Sequence, residues 1–257
     1  MESMIIAGFK MGKIMNNRTS EIVAAVDLGK FRISVIIAKI DTEDKIQVLG
    51  HGGKVNDGAV CDGEIINMSK AVVLFREALS QAEKMAGIEI CSEKVFISVS
   101  GDDISCHHSV GIVYTRGDEG VVREYHVNKA RENAKIITLN PEEMIIDAIG
   151  LKYMLDGTRR CNNPLNKQAQ KIEAHVRIMS GKRSIIENLL IPLKAAGLTN
   201  IMPVFSGSGS ECSFVAADFA GELPGAESPH YAALVSLIHC GMKRSRISSD
   251  DNVRSEL

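Results

Sequence analysis

The stretch VAAVDLGKFRISVIIAKI, Val23–Ile40, decides the architecture. Two β-branched runs, Ile22–Val26 and Ile33–Ile40, flank the short turn Asp27–Arg32. A third run, Ile46–His51, follows the polar turn Asp41–Lys45, so the three predict a β-meander. A glycine-punctuated loop, Gly52–Gly63, leads into a helix that Ser69 is placed to cap. Its apolar positions Val72, Val73, Phe75, Leu79, Ala82 and Met85 recur at helical spacing, and Gly87 closes it. Lys94–Ser100 is the next strand.

A second pattern begins at Gly101. Ile104–Cys106 and Val110–Tyr114 read as short strands, Val127–Ile137 as a helix, and Glu142–Ile149 with Leu151–Met154 as a bent strand or a hairpin around Gly150. The loop Asp156–Lys167 returns the chain to a strand at Ile172–Met179. A helix then opens at Ser180 or Gly181 and runs to Ala196, ended by Gly197, and Asn200–Phe205 is a further strand. Phe214–Phe219 is a short apolar piece, and Ser228-Pro229 starts a last helix that runs through Cys240.

Composition narrows the class. Lys and Arg total 30 against 32 Asp and Glu, a formal charge of −2, which argues against nucleic acid as a partner. Hydrophobic content of 45% is that of a folded globular protein, and no apolar run approaches the ~20 residues of a membrane span. The cysteines Cys61, Cys91, Cys106, Cys161, Cys212 and Cys240 form no CxxC, so they read as free thiols of a reducing cytoplasm.

Five segments carry a resemblance to a known family: VAAVDLGKFRISVIIAKI, VNDGAVCDGEIINM (Val55–Met68), FREALSQAEKMAGI (Phe75–Ile88), VFISVSGDDISCHHSVGIV (Val95–Val113) and NPEEMIIDAI (Asn140–Ile149). In this order they resemble the N-terminal half of the FtsA family of bacterial cell-division proteins, within the actin-like ATPase superfamily. Ser100–Cys106 is the most telling, because in that family it leads into a small inserted subdomain. EAHVRIMSG (Glu173–Gly181) and NIMPVFSGSGS (Asn200–Ser210) resemble the return into the core, and SPHYAALVSLIHCG (Ser228–Gly241) the helix that finishes it.

The resemblance implies an α/β fold: an actin-like (RNase H-like) core subdomain with an inserted small α+β subdomain of the SHS2 type. The expected division is an N-terminal extension over 1–20, core over 21–101, insert over 102–166, core again over 167–242, and a polar tail over 243–257. The family's second core half, with its DxGGGT phosphate hairpin and adenosine-binding glycines, has no counterpart string here. Nor do the subdomain that docks FtsZ and the C-terminal amphipathic membrane helix, so FtsZ is a doubtful partner.

The resemblance makes Asp27, Gly29, Lys30 and Arg32 the candidate contacts for ATP and its Mg2+. The family reads DxGTxK there, whereas Lys30 here replaces the hydroxyl residue and Arg32 the lysine. A glycine lets phosphate approach backbone N–H groups closely and a cation faces its charge. The plainer reading is an ordinary hairpin turn. Ser206–Ser210 lacks the GxxxxGK[ST] string and reads as a linker. His107 and His108 beside Cys106 point to opposite faces of a strand and cannot share one metal ion.

Asp102, Asp103, Ile104 and Ser105 are the candidate protein-interaction residues, since the family's insert contacts a neighbouring protomer and later division proteins. Membrane contact would come through partners or through the loosely apolar N-terminus with Ile5, Ile6, Phe9 and Ile14. Lys243-Arg244-Ser245-Arg246 reads as a solvated tail. Two functional readings follow. One is a cytoplasmic adaptor at the division site that acts through self-association and other division proteins, without catalysis. The alternative is an ATPase or kinase of the actin superfamily whose cleft another chain completes.

Overall fold

In the computed structural model, which describes residues 20–43, 45–101, 103–116, 119–206 and 233–242, the deciding stretch forms two antiparallel strands. They are β1, Glu21–Leu28, and β2, Arg32–Ile40, with Val26 opposite Val35. Strand β1 is apolar over Ile22–Val26 because both of its faces are covered. Ala24, Val26 and Leu28 enter one core and Val23 and Ala25 the other. Each fully buried Val or Ile removes enough apolar surface from water to contribute about 1.5–3 kcal/mol.

Strand β3 spans Ile46–Val55, four residues past the expected end at His51. Gly52, the expected start of the loop, has another cause, which it shares with Gly50 inside the expected strand. A Cβ on Gly50 would collide with the Ala82 carbonyl, and one on Gly52 with the Ala78 carbonyl, both in helix α1, Met68–Ala86. The strand keeps its ladder, and the missing side chains let the helix backbone lie directly on it. Gly87, at φ 70°, closes α1 as expected. The cap is Asn67 rather than Ser69: its Oδ1 accepts the Lys70 N–H at 3.0 Å. Ala71, Phe75, Ala78, Leu79 and Ala82 are buried, while Val73 and Met85 face outward.

A two-residue hairpin, β4 at Val60–Cys61 and β5 at Glu64–Ile65, precedes α1. Strands β6, Lys94–Val99, and β11, Ile201–Phe205, complete a five-stranded sheet of order β11-β6-β1-β2-β3. Strand β6 runs parallel to β1 and β11 parallel to β6, so β2 alone runs against the others. This is the actin-like (RNase H-like) arrangement. Helices α1 and α3, Arg183–Ala195, cover one face, and a helix over 233–242 covers the other through Leu234, Val235, Leu237 and Ile238. Helix α3 starts at Arg183, two or three residues after the expected opening, because the preceding strand extends to Lys182.

The second sheet has four strands, ordered β7-β10-β8-β9. Strand β7 is continuous over Ile104–Tyr114, where two pieces were expected. Its intervening polar residues His107, His108 and Ser109 all keep partners in the ladder with β10, Lys171–Lys182. Strand β8, Glu143–Leu155, is the bent strand rather than the hairpin, with a register break against β10 between Gly150 and Lys152. Strand β9 is Arg159–Cys161. Helix α2, Glu124–Lys135, lies on one face over Ala174, Val176 and Ile178.

Strand β10 corrects one boundary. Placing 167–182 with the core separates β10 from both its partners, yet it is the central strand between β7 and β8. The insert sheet therefore runs to Lys182. The partners lie 57 to 77 residues apart in sequence for β7, which local patterning does not register. The N-terminal stretch, Gly207–Ser210, Phe214–Phe219, Ser228-Pro229 and the tail from Lys243 lie outside the described residues.

Candidate functional site

The turn between β1 and β2 is built from backbone contacts. The Gly29 N–H donates to the Arg32 carbonyl at 3.1 Å. A Cβ on Gly29 would stand 2.9 Å from Asp27 Oδ2 and 3.0 Å from that same carbonyl, so crowding excludes a side chain there. Phe31, at the tip, is 77% exposed. Asn56, which is buried, braces the turn from the next strand end. Its Nδ2 donates to the Lys30 carbonyl at 2.6 Å and also to the Val60 carbonyl, and its Oδ1 accepts the Val60 N–H at 2.8 Å.

The structure therefore brings Asp27, Gly29, Lys30 and Arg32 into one turn, and it gives Lys30 a partner. Lys30 Nζ pairs with Asp62 Oδ1 at 2.9 Å, on the β4–β5 hairpin. The Arg32 guanidinium lies over Gly53, where a Cβ would collide with it. The hydrogen bond from Lys30, then that from the Cys61 thiol, hold the Asp62 carboxyl below its ordinary range. The hydrogen bond to Asp62 in turn raises Lys30. The same carboxylate pushes the Cys61 thiol up, which keeps it protonated and a poor nucleophile.

In this arrangement Lys30 holds a carboxylate and the Arg32 guanidinium lies over Gly53 of β3. Asp62 and Asn56, the two residues that govern the turn, were not singled out by sequence reasoning. The Asp62-Gly63 dipeptide was the available signal, since it marks a tight hairpin facing the turn.

Of the candidate interaction residues, Asp102 lies outside the described residues. Asp103 pairs with Lys182 at 2.5 Å, Ile104 packs against the core, and Ser105 stands opposite Ser180. All three sit at the root of the insert, engaged within the chain. His107 and His108 do face opposite sides: His107 Nε2 meets Ser180 Oγ at 2.9 Å, and His108 Nε2 meets His175 Nδ1 at 3.1 Å. Among the described residues no group of three or more His, Cys, Asp or Glu could hold a metal ion.

The surface that sequence reasoning missed lies farther along β7. Val110, Ile112 and Tyr114 alternate on the face away from α2 and are 38, 44 and 57% exposed. The strand is also the edge of its sheet. Its other alternate set, Gly111 and Val113, faces α2, so both faces of an edge strand are apolar or small, and that pattern was the signal. A cleft of about 710 Å3 opens at the same end, lined among others by Tyr114, Arg116, Asp156 and Lys171. Its charges are largely neutralised internally, Asp156 by Arg159 at 2.8 Å and Lys171 by Glu173 at 2.6 Å. Among the described residues no helix is long and apolar enough to cross a membrane.

Comparison with known proteins adds three findings. A family profile described as "SHS2 domain inserted in FTSA" matches residues 101–180. The cell division protein FtsA of Bacillus subtilis (strain 168) is 26% identical over 200 residues, covering 76% of this chain and 44% of that protein. FtsA of Escherichia coli (strain K12) is 22% identical over 198 residues, covering 77% and 46%. The chain thus spans less than half the length of these curated relatives. Among solved structures, a chain of the PilM-PilN type IV pilus biogenesis complex superposes with a TM-score of 0.43 at 13% identity, covering 71% of this chain and 46% of that one.

Proposed function

We propose that this FtsA-like chain is an adaptor in bacterial cell division that works through contacts of its SHS2-type insert, without catalysing nucleotide hydrolysis. The observation that carries this reading is the exposed row Val110, Ile112 and Tyr114 on the edge strand β7. An exposed apolar row on an edge strand is a surface that a second polypeptide covers. Its partners on this reading are other division proteins and further copies of the chain, at the cytoplasmic face of the membrane where division occurs. The turn supports the non-catalytic half of the reading, because phosphoryl transfer relies on cations aimed at the phosphate. Here Lys30 and Arg32 are turned to Asp62 and Gly53.

The test is a full chain carrying Ile112→Lys with Tyr114→Lys, compared with wild type for septal recruitment of a fluorescent fusion. Unchanged thermal melting confirms that the variant is folded. Loss of recruitment is expected, and recruitment equal to wild type overturns the proposal. Charge reversal at Asp103 is a poorer probe, since it breaks the pair with Lys182 at the root of the insert.

A further inference from the structure

We infer that the open face of the insert sheet docks an acidic, partly apolar segment of a partner protein. Its carboxylates meet Lys152, Arg160 and Arg177, and its apolar side chains meet the β7 row. The inference rests on the reading of that row as a docking surface, and it adds the charge of what docks there.

The ladder register lays the face out. Residues directly opposite one another on paired strands point to the same side of a sheet. One line across the insert therefore reads Ile112, Glu173, Met154 and Arg160, from β7 through β10 and β8 to β9. Beside it run Val110, His175 and Lys152, and then His108, Arg177 and Ile149. Helix α2 packs on the other side, over Ala174 and Val176. The open side is apolar along β7 and cationic toward β8 and β9. Strands stand about 4.8 Å apart, so about 10–14 Å separate the row from Lys152 and Arg160. That is close to the width of one helical segment, about 10–12 Å.

The cations are uncompensated. Among the described residues Lys152, Arg160 and Arg177 make no ion pair, and Arg160 and Arg177 are exposed. Glu173, the carboxylate in these lines, is already held by Lys171 at 2.6 Å. The chain as a whole carries a formal charge of −2, so this local excess of positive charge runs against its balance. Charge complementarity selects partners and their orientation, while burial of the apolar row supplies affinity. Glu173 also separates a polypeptide from an anionic bilayer as the occupant. A flat lipid surface lays its charge on that carboxylate as well as on the cations, whereas a segment places its acidic residues over Lys152, Arg160 and Arg177 alone.

The experiment titrates the full chain by calorimetry with two synthetic amphipathic peptides that share their Leu positions and carry either Glu or Lys at the polar ones. The Leu/Glu peptide binds at least about tenfold tighter, and its advantage shrinks as salt rises from about 0.05 to about 0.5 M. Arg160→Glu with Arg177→Glu reverses the preference at an unchanged melting temperature. Should that pair melt lower, Arg160→Gln with Arg177→Gln is read instead, and it removes the preference. Equal affinities for the two peptides, a preference that survives both variants, or no binding of the Leu/Glu peptide at about 1 mM overturns the inference. Capture by phosphatidylglycerol vesicles together with equal peptide affinities assigns the face to lipid instead. Septal recruitment separates the two readings. If Ile112→Lys with Tyr114→Lys abolishes recruitment while the peptides bind equally, the acidic partner alone is overturned. If that variant is recruited like wild type, docking at the row falls, and this inference with it.

Discussion

Gly111 of β7 lies directly beneath the Ala130 carbonyl of α2: a Cβ on the glycine would overlap that oxygen and crowd the Ala134 nitrogen. The core repeats the arrangement, with Gly52 of β3 under Ala78 of α1. In both layers a glycine in the strand and an alanine in the helix bring the two backbones into contact. The close approach helps define the depth of each core, because every other side chain at the interface is packed to that spacing.

Substituting alanine at Gly111 must therefore lift α2 from its sheet. Gly111→Ala is expected to destabilise the chain by about 1–3 kcal/mol, the usual penalty for overpacking. Gly150→Ala is the control: nothing lies within 4 Å of a Cβ there, so its effect stays within about 0.5 kcal/mol. Urea unfolding of the two variants decides the matter, and equal midpoints contradict the packing described.

Asn56 is expected to matter more than any residue of the turn it braces. Its side chain is buried and serves the Lys30 carbonyl, the Val60 carbonyl and the Val60 N–H. Asn56→Ala leaves those groups without a partner, and orphaning a buried polar group costs about 1–3 kcal/mol. Stability should fall by about 2 kcal/mol, with amide exchange rising at Gly29 and Val60 before the rest of the sheet. Intact protection at those two amides would mean that the strand ends hold the turn unaided.

How much of this was legible in sequence depends on the range of the contact. The β1–β2–β3 meander, the Phe75–Leu79–Ala82 face of α1 and the Gly87 stop are local patterns, and they read correctly because neighbouring residues carry the whole signal. Gly52 misled because a glycine that admits a helix looks in sequence like one that makes a turn. The place of β10 between β7 and β8 depends on ladders between distant segments, so periodicity identified the strand and not its sheet. The position of the β1–β2 turn was legible for the same local reason. The partner of Lys30 was not, because Asp62 approaches only once the hairpin folds back.

Glu173 supplies a pH dependence on the insert's β10 strand. Its carboxyl is held below the ordinary value of 4.5, first by the hydrogen bond from Lys171 and against the opposing effect of burial. A carboxyl whose folded pKa is depressed stabilises the fold fully above its unfolded value. That contribution is lost as the pH falls through the folded value, so the window opens below about pH 4.5. Glu173→Gln should melt lower than wild type at pH 7, with the gap closing as the pH falls below about 4.5. A gap that stays constant over that range removes Glu173 from the acid response.

Capping of α1 separates two residues that look alike on paper. Ser69 precedes the apolar run and has the side chain of a good cap, but it lies inside the first turn of a helix that starts at Met68. Asn67 has the extended backbone of a cap, at φ −130° and ψ 98°, and its Oδ1 already accepts the Lys70 N–H. Asn67→Ala orphans that donor and is expected to cost about 1 kcal/mol. Ser69→Ala replaces a residue of modest helix propensity with the best helix former, so it should be neutral or slightly stabilising. Chemical denaturation of the two single variants distinguishes the positions. A loss confined to Ser69→Ala would shift the start of α1 by two residues, and with it the face that carries Phe75 into the core.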